Sequence, residues 1–430
     1  MQMLTHSQLV SAAFAVALIA SFTLKLWLAN RQIRHVAAHA DQVPASFAEQ
    51  IDLTAHRKAA AYTLAQQRLS IMEISWSAGL LAALTLGGGL QWIVTTSSAA
   101  LGTGLTFQVG LVALVVLLLT LTDLPFAWYR TFQIEQRFGF NRTSPRLFFS
   151  DLFKSVILSA IVGLPILTLV LWLMGAAGPL WWLYAWVAWT VFNLLALIVY
   201  PTLIAPLFNQ FKPLAEGELL ERIQALLART GFASRGVFVM DGSRRSAHGN
   251  AYFTGLGAAK RVVFFDTLIE RLSPTEIEAV LAHELGHFKL KHITKRLALM
   301  LIGSLVFFSA LGWLAGKTWF YQGLGVEPML GASNDGLALI LFILILPVIL
   351  LPLSPLSNAL SRKHEFEADA YAAGQSQRSE LINALVKLYQ DNASTLTPDP
   401  IYSAFYSSHP PANTRIARLQ AIDSKANSPC

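Results

Sequence analysis

Apolar residues fall along the chain in long runs that polar segments interrupt. Seven runs reach about 20 residues, the length that an α-helix needs to cross the hydrocarbon core of a bilayer. They cover residues 8–29, 74–96, 105–128, 155–177, 180–206, 297–316 and 336–357. Pro347, Pro352 and Pro355 are expected to kink or end the last helix. The pattern predicts a mainly α, polytopic membrane protein with seven transmembrane helices.

Two polar segments, 207–296 and 358–430, have the character of a soluble domain. In the first, "EGELLERIQALLARTG" has helical periodicity and a glycine stop at Gly231. Three stretches favour strands: "RGVFVMDGS", "GNAYFTGLG" (Gly249 to Gly257) and "KRVVFFDTLI". We therefore divide the chain into helices 1–5 with their loops (1–206), a first part of an α+β domain (207–296), helices 6–7 (297–357), and a second part with the C-terminal tail (358–430).

Composition and charge support this division and orient it. The chain is 54% hydrophobic and 13% charged, with a mean hydropathy of +0.50, which is unlike an ordinary soluble domain. Lys and Arg collect in the loops after the first and third helices, whereas "TTSSAALGTG" and "GAAGP" hold none. Because Lys and Arg stay on the cytoplasmic side, the N-terminus is expected outside and both polar segments inside. These loops account for the net charge of +7, so the expected partner is the lipid bilayer and not nucleic acid.

The stretch "LAHELGHFKLKH" carries the chemistry of a metal site. Its helix has strong start signals, with Ser273 as N-cap, Pro274 at the first position and Glu276 closing a capping box.

On such a helix His283 and His287, four residues apart, project from one face and can reach one ion. Glu284 lies beside them, where it can act as general base on a metal-activated water. This is the zincin pattern. The alternative is two histidines satisfied by hydrogen bonds on a polar helix face.

A third ligand is needed, and its position separates the zincin classes. The extended metzincin pattern requires glycine and histidine where this chain has Leu290 and Ile293, so that class is excluded. His292 falls one residue early and is expected to be solvated. In "SRKHEFEADAYAAG", Glu365 is placed to bind zinc and Asp369 to orient a ligand histidine. By themselves these two carboxylates would indicate a solvated helix face.

These motifs identify a family resemblance. Together with "IEQRFGFNRTS", "YPTLIAPLFNQFKPL", "DGSRRSAHGNAYFTGLG" and "SHPPANTRIARL", they make the chain resemble the Ste24-type integral-membrane zinc metallopeptidases, the CAAX prenyl protease 1 group of peptidase family M48. The resemblance implies seven helices enclosing a water-filled chamber, with a gluzincin-like catalytic domain whose site faces inward. Such a chamber would supply water to a hydrolase at membrane depth.

The resemblance also implies roles for individual residues. One Zn²⁺ per chain would be bound by His283, His287 and Glu365, with Glu284 as catalytic base and Asp369 as the partner of a ligand histidine. An edge strand that receives the substrate backbone would comprise Asn250, Ala251, Tyr252 and Phe253; the alternative is an ordinary buried strand. His409 and Arg415 would lie near the zinc and stabilise the oxyanion. From the sequence alone, Arg415 would be a surface helix residue.

The predicted function is that of a membrane-embedded zinc metalloendopeptidase. Its substrate would be a peptide or protein, prenylated or membrane-inserted, in CAAX-type processing or membrane-protein quality control. Short outer loops and the lack of an organelle-retention ending favour a bacterial inner membrane. The rival hypothesis is a non-catalytic transporter or scaffold with a degenerate zinc site. A transporter should place ionisable residues at mid-membrane, but only Lys25 and Asp123 occur in the spans, both near ends.

Overall fold

Helices dominate the computed structural model, which describes residues 4–254 and 260–426. Those of the first polypeptide half are α1 (His6–Ala38), α2 (Leu53–Leu84), α3 (Gly89–Leu101), α4 (Leu105–Tyr129), α5 (Gln136–Phe138), α6 (Pro145–Ala176), α7 (Trp181–Val199) and α8 (Ala205–Phe208). The others are α9 (Glu218–Thr230), α10 (Asp266–Ile269), α11 (Pro274–Lys289), α12 (His292–Leu314), α13 (Thr318–Gly323), α14 (Asp335–Leu350), α15 (Ser354–Gln375), α16 (Arg378–Asp391), α17 (Pro400–Tyr406) and α18 (Ala412–Ala426).

The described residues contain six helices long and apolar enough to cross a membrane, or seven when one bent pair counts as a span. Each predicted span overlaps one of them. Large apolar side chains on these helices face outward, as lipid contact requires, among them Val16, Trp92, Ile161 and Leu203. The prediction of a polytopic, mainly α protein is therefore confirmed.

The second predicted span, 74–96, is not one straight helix. It comprises the end of α2 and the start of α3, which meet at an angle of 56°. Gly88 at the break has φ +75°, a left-handed conformation that favours glycine. A Cβ on Gly87 would lie 2.9 Å from the carbonyl oxygen of Ala83, so the tight turn itself requires glycine there.

Both helices that carry the predicted metal ligands continue directly from or into spans. α12, the sixth span, begins at His292, three residues after α11 ends at Lys289. The seventh span, α14, passes through one 3-10 turn (Leu351–Leu353) into α15. The prolines expected to end that span produce only this turn, and the helix resumes because Pro355 occupies a first-turn position, where its missing N–H has no partner to lose.

A small sheet completes the soluble part. Its strands are β1 (Phe211–Pro213), β2 (Val237–Met240), β3 (Ala251–Thr254) and β4 (Arg261–Phe265), in the order β1-β2-β4-β3. β2 and β4 are parallel, and the other pairs are antiparallel. Three of these strands were predicted and β1 was not. Of the predicted strand Gly249 to Gly257, residues 255–257 lie outside the described residues.

The two polar segments build one hydrophobic core. It contains Ile223 and Leu226 of α9, Phe264 of β4, Leu281 and Leu285 of α11, and Leu381 and Leu385 of α16, all buried. Because these side chains come from both sides of the two last spans, the segments must lie on the same face of the membrane region.

The first span connects this domain to the membrane region. Near its C-terminal end, the Arg31 guanidinium donates to the Asp399 carboxylate just before α17, at 2.9 and 3.3 Å. Near its other end, Val10 packs against Gly323 of α13, between the sixth and seventh spans. The N-terminal end of α1 and the soluble domain therefore lie at opposite ends of the bundle.

Candidate active site

Helix α11 places the two histidines as its sequence predicts. The Ser273 hydroxyl accepts from the Glu276 N–H at 3.2 Å, and the Glu276 carboxylate accepts from the Ser273 N–H at 2.7 Å. This reciprocal capping box, with Pro274 in the first turn, confirms the predicted start. One turn apart near the other end, the rings of His283 and His287 lie 5.0 Å apart on one face.

Gly286 lets α15 approach that face. A Cβ on Gly286 would lie 3.0 Å from the Cα and 3.1 Å from the carbonyl oxygen of Ala368, and 3.2 Å from the Cβ of Tyr371. Backbone atoms cannot move aside as a side-chain end can, so the glycine sets the distance between the two helices. The close contact brings the carboxylates of Glu365 and Asp369 to the histidines.

His283, His287 and Glu365 form a cluster that could hold a metal ion, called the metal cluster below. The two Nε2 atoms lie 3.3 Å apart, and the Glu365 oxygens lie 3.5 Å from Nε2 of His283 and 3.3 Å from Nε2 of His287. A tetrahedral zinc ion holds nitrogen and oxygen ligands at about 2.1 Å, which places them about 3.4 Å from one another. The buried Oε2 of Glu365 has no hydrogen-bond partner. Distances, donor types and this oxygen without a hydrogen bond all fit a zinc ion.

Asp369 supports His283 from behind. Its Oδ1 lies 2.8 Å from Nδ1 of His283, the nitrogen that faces away from the cluster. Arg415 of α18 grips the same carboxylate with Nε at 2.9 Å and Nη2 at 2.6 Å. Burial alone would raise the pKa of Asp369, but the hydrogen bonds from His283 and Arg415 outweigh it and lower that pKa. Asp369 therefore stays ionised and fixes the orientation of the ring.

Arg415 is not a surface residue. It is only 6% exposed, and its Nη1 lies 3.8 Å from Oε2 of Glu365. Its place beside the cluster follows the family resemblance and not the helix pattern of "NTRIARLQAI". A sequence read alone cannot show that α18 packs with its arginine inward, because Arg is seldom buried unless it is paired.

Glu284 and His409 are the remaining predicted side chains of the site. Burial raises the pKa of Glu284, although the neighbouring His283 and His287 oppose this. The His409 side chain is 64% exposed, with Nε2 at 3.5 Å from Oε1 of Glu365. An exposed imidazole beside a buried cluster can donate a hydrogen bond to a molecule bound there.

The predicted substrate strand, β3, lies at the edge of the sheet. It pairs with β4 on one side, and no other strand of the described residues pairs with its second side. The Asn250 carbonyl accepts from Phe265 N–H at 2.9 Å, so alternation turns the backbone groups of Ala251 and Phe253 toward the open side. The Ala251 N–H is covered by the Asn250 side-chain oxygen at 2.8 Å. On the open side of β3, the Ala251 carbonyl and the N–H and carbonyl of Phe253 remain available.

Side chains of β3 are only partly free. Phe253 packs on Phe232 with ring centroids 4.9 Å apart, and the Tyr252 hydroxyl points to the Met240 sulfur at 3.8 Å. Asn250, by contrast, borders a cavity of about 600 Å³ that His409 also lines. The start of the strand and His409, which lies beside the metal cluster, therefore line one space.

His292 contradicts the expectation of a solvated residue. It is only 4% exposed, and its Nδ1 lies 3.1 Å from Nδ1 of His287. The chain reaches this position through Lys291, whose left-handed φ of +60° lies at the turn between α11 and α12. Lysine is not typical of a left-handed turn, so the sequence did not predict this conformation. The one feature that could have indicated a contact with His287 is the five-residue spacing of His292 from it.

Comparison with known proteins covers nearly the whole chain. Residues 32–210 match the model described as "CAAX prenyl protease N-terminal, five membrane helices", and residues 213–423 match "Peptidase family M48". The CAAX prenyl protease 1 of Saccharomyces cerevisiae is 38% identical over 71% of this chain and 70% of its own length. The human CAAX prenyl protease 1 homolog is 31% identical over 95% of each chain. The crystal structure of S. mikatae Ste24p aligns with a TM-score of 0.88 at 31% identity, over 97% of this chain and 100% of that one.

Proposed function

The chain belongs to peptidase family M48 and is a membrane zinc metalloprotease, and from that premise we propose that His283, His287 and Glu365 hold its zinc ion while Glu284 is the base. The family predicted from the motifs is confirmed, as is the mainly α fold with helices around a chamber and a zincin-like domain. The rival hypothesis of a transporter or scaffold is not favoured. The observation that supports our ligand assignment is the convergence of the two histidines and the carboxylate: the two Nε2 atoms lie 3.3 Å apart, and each lies 3.3–3.5 Å from one oxygen of Glu365.

Each residue has a proposed task in peptide hydrolysis. A bound zinc ion supplies Lewis acidity, which acidifies a water molecule and polarises the scissile carbonyl. Glu284 takes the proton from the attacking water and delivers it to the leaving amine, a task suited to a carboxylate whose pKa burial raises. His409 donates to the developing oxyanion, and Arg415 adds positive charge beside it while holding Asp369. Asp369 keeps His283 in the tautomer that binds metal.

We propose that the substrate binds β3 as an added strand. The Ala251 carbonyl and the Phe253 N–H and carbonyl face the open side and would form ladder hydrogen bonds with an extended peptide. Asn250 and Tyr252 direct their backbone groups to β4 and would contribute only side chains. Backbone pairing selects extended conformation more than sequence, which suits a protease with varied substrates.

The proposed substrates are peptides or proteins that carry a lipid group or a membrane segment. Support comes from two relatives whose names state that they are CAAX prenyl proteases. The helices that carry the site, α11 and α15, are also joined directly to the spans α12 and α14. Quality-control cleavage of membrane proteins is the second candidate, because backbone recognition does not require the isoprenoid.

Zinc content and peptide cleavage, measured together, test this proposal. Glu284→Gln keeps the shape and removes the base, so it should retain one zinc ion per chain and lose cleavage. Glu278→Gln is the matched control, since Glu278 is on the same helix but pairs with Arg222 and Arg229, away from the metal cluster. A wild type without zinc, or a Glu284→Gln variant that cleaves normally, would refute the assignment. Matched peptides with and without an isoprenoid then separate prenyl-specific from broad proteolysis.

The proposed orientation puts the catalytic domain in the cytoplasm and the N-terminus outside, as the Lys and Arg distribution indicates. The relatives named above are eukaryotic, and the bacterial inner membrane stays a prediction. In a Cys430→Ser background, which removes the single cysteine, an impermeant maleimide should label Thr103→Cys in intact cells and spare Ser46→Cys. The reverse pattern would invert the proposed orientation.

A further inference from the structure

His292, His364 and Glu367 form a second polar cluster next to the metal ligands. Their ligand atoms lie close enough together to hold an ion, within 4.8 Å of one another. His292 and His364 are buried, at 4% and 7% exposure, and Glu367 is half-buried. Two interpretations are open to this cluster: a second metal site, or a support for the first.

The ring geometry argues against a second ion. The imidazoles of His292 and His364 stack with centroids 4.0 Å apart and only 13° between their planes. A metal ion lies in the plane of each imidazole that binds it, at about 2.1 Å from the nitrogen. Two nearly parallel planes do not meet at such a distance. His364 therefore packs on His292 as a flat neighbour.

Both nitrogens of His292 are already engaged. Nδ1 lies 3.1 Å from Nδ1 of His287, and Nε2 lies 2.9 Å from Oε2 of Glu367. A ring nitrogen that joins a hydrogen bond on its lone pair, or carries a proton, has nothing left for a metal. The geometry is that of a chain from His287 through His292 to Glu367.

Proton positions along this chain follow from the first site. Nε2 of His287 faces His283 and Glu365, so it must offer a lone pair to the metal, and its proton must lie on Nδ1. That N–H donates to Nδ1 of His292, which requires the His292 proton on Nε2. The second N–H donates to the Glu367 carboxylate, which only accepts. Each link has one donor and one acceptor.

We propose that His292 and Glu367 are positioning residues that hold the metal ligand His287 in the ring orientation and tautomer that zinc binding requires. The proposal rests on the proposed function of the His283, His287 and Glu365 site. It gives His287 a counterpart to Asp369, which does the same for His283. The left-handed Lys291 places His292 for this contact, at the first residue of the sixth span.

The test measures zinc retention in the full-length protein purified in detergent, by competition with a chelator. His292→Phe keeps the stacked ring and removes both nitrogens; it should lower the apparent zinc affinity about 10- to 100-fold, the usual effect of losing a partner behind a ligand. Glu367→Ala should lower it in the same direction. Glu367→Gln and His292→Gln, whose carboxamides still accept or donate, should restore part of the loss.

His364→Phe is the matched control, because it keeps the stack and leaves the chain of hydrogen bonds intact. It should bind zinc like the wild type. Two zinc ions per wild-type chain, falling to one in His292→Phe and His364→Phe alike, would overturn the proposal in favour of a second metal site. If His292→Phe lowers the melting temperature but leaves the zinc affinity unchanged, His292 contributes only to packing and the positioning role is wrong.

Failure of this inference and failure of the proposed function give different results. If the wild type holds no zinc, the ligand assignment itself is wrong. If the wild type holds one zinc ion and both His292→Phe and Glu367→Ala hold it as tightly, only the positioning role is wrong. Because the measurement is affinity and not cleavage, it does not depend on knowing the substrate.

Discussion

Two arginine–aspartate pairs with the same forked geometry occur in very different surroundings. Arg415 grips Asp369 beside the metal cluster, and both side chains are almost fully buried, at 7% and 5% exposure. Arg31 grips Asp399 where the first span meets α17, and there the arginine is 33% exposed. The first pair fixes His283, a proposed zinc ligand, and the second joins the soluble domain to the membrane helix.

The comparison shows how burial changes the energetic cost of losing one partner of an arginine–aspartate pair. In the low dielectric of the interior, each charge is stabilised by its partner, and removing one leaves the other buried without a counter-charge. In the second pair Asp399 is also buried, at 2% exposure, but Arg31 is partly exposed, so water can solvate the arginine at little cost when its partner is lost. We therefore expect the two pairs to respond differently to the same substitution.

Asp369→Ala should have the largest effect. It leaves the buried Arg415 cation without its carboxylate and removes the support of His283, so stability should fall by about 3–5 kcal/mol and zinc affinity should fall with it. Thermal unfolding and chelator competition in detergent measure the two effects.

The matched control for that variant is Asp369→Leu combined with Arg415→Met, which removes both charges at similar volume. It should be more stable than Asp369→Ala, because no buried charge is left unpaired, yet it should still bind zinc weakly. Equal stability of the single and double variants would show that the Arg415 charge is solvated after all.

Gly286→Ala tests the helix contact on which the buried pair depends. The added methyl meets backbone atoms of Ala368 at 3.0–3.1 Å, so α15 must shift, at an expected loss of about 1–3 kcal/mol together with weaker zinc binding. Gly374→Ala on α15 is the control: a Cβ there has nothing within 4 Å, and stability should rise slightly. Normal zinc affinity in Gly286→Ala would mean that the ligands tolerate a wider spacing.

Asp399→Asn should have a smaller effect, confined to stability. Asp399 caps α17 by accepting from the N–H groups of Ile401 and Tyr402, besides pairing with Arg31. The amide keeps an accepting oxygen, so we expect a loss of about 1–2 kcal/mol and unchanged zinc affinity. A loss of zinc in this variant would contradict the separation of the two regions.

The stability difference between the wild type and Asp399→Asn should also depend on pH. Burial would raise the pKa of Asp399, but hydrogen bonds from Arg31 and the α17 backbone outweigh it, so the pKa is lowered. A lowered carboxyl pKa stabilises the fold above the unfolded value of about 3.9, and this contribution is lost as pH falls further. The difference in melting temperature between wild type and Asp399→Asn should therefore be larger at pH 7 than at pH 3. Asp41→Asn, at the exposed pair with Arg57, is the control for substituting a paired carboxylate and should barely change the melting temperature at pH 7.

The sequence predicted the parts of this protein that depend on local pattern. Spans follow from apolar length, and the α11 start follows from the Ser273 capping box. Local pattern did not predict the 56° bend after α2 or the position of His292, and it placed Arg415 on the surface, whereas the family resemblance placed it near the zinc. Those depend on a glycine turn, on the packing of α18 and on a left-handed lysine, which only tertiary contacts decide. The cluster of His283, His287 and Glu365 could be proposed from the sequence because the spacing of these residues is typical of a metal site, and not only of a packed helix.

Lys363→Ala removes an exposed ion pair and should have the smallest effect of these substitutions. The Lys363 ammonium lies 3.9 Å from Glu367, one turn along α15, and its side chain is 71% exposed. Such a pair contributes about 0.5 kcal/mol or less, so the melting temperature should barely move. Zinc affinity should also stay at the wild-type value, because Glu367 acts through its other oxygen, on His292. A measurable loss of zinc on removing Lys363 would show that the charge of this surface pair, and not the hydrogen bond, supports His287.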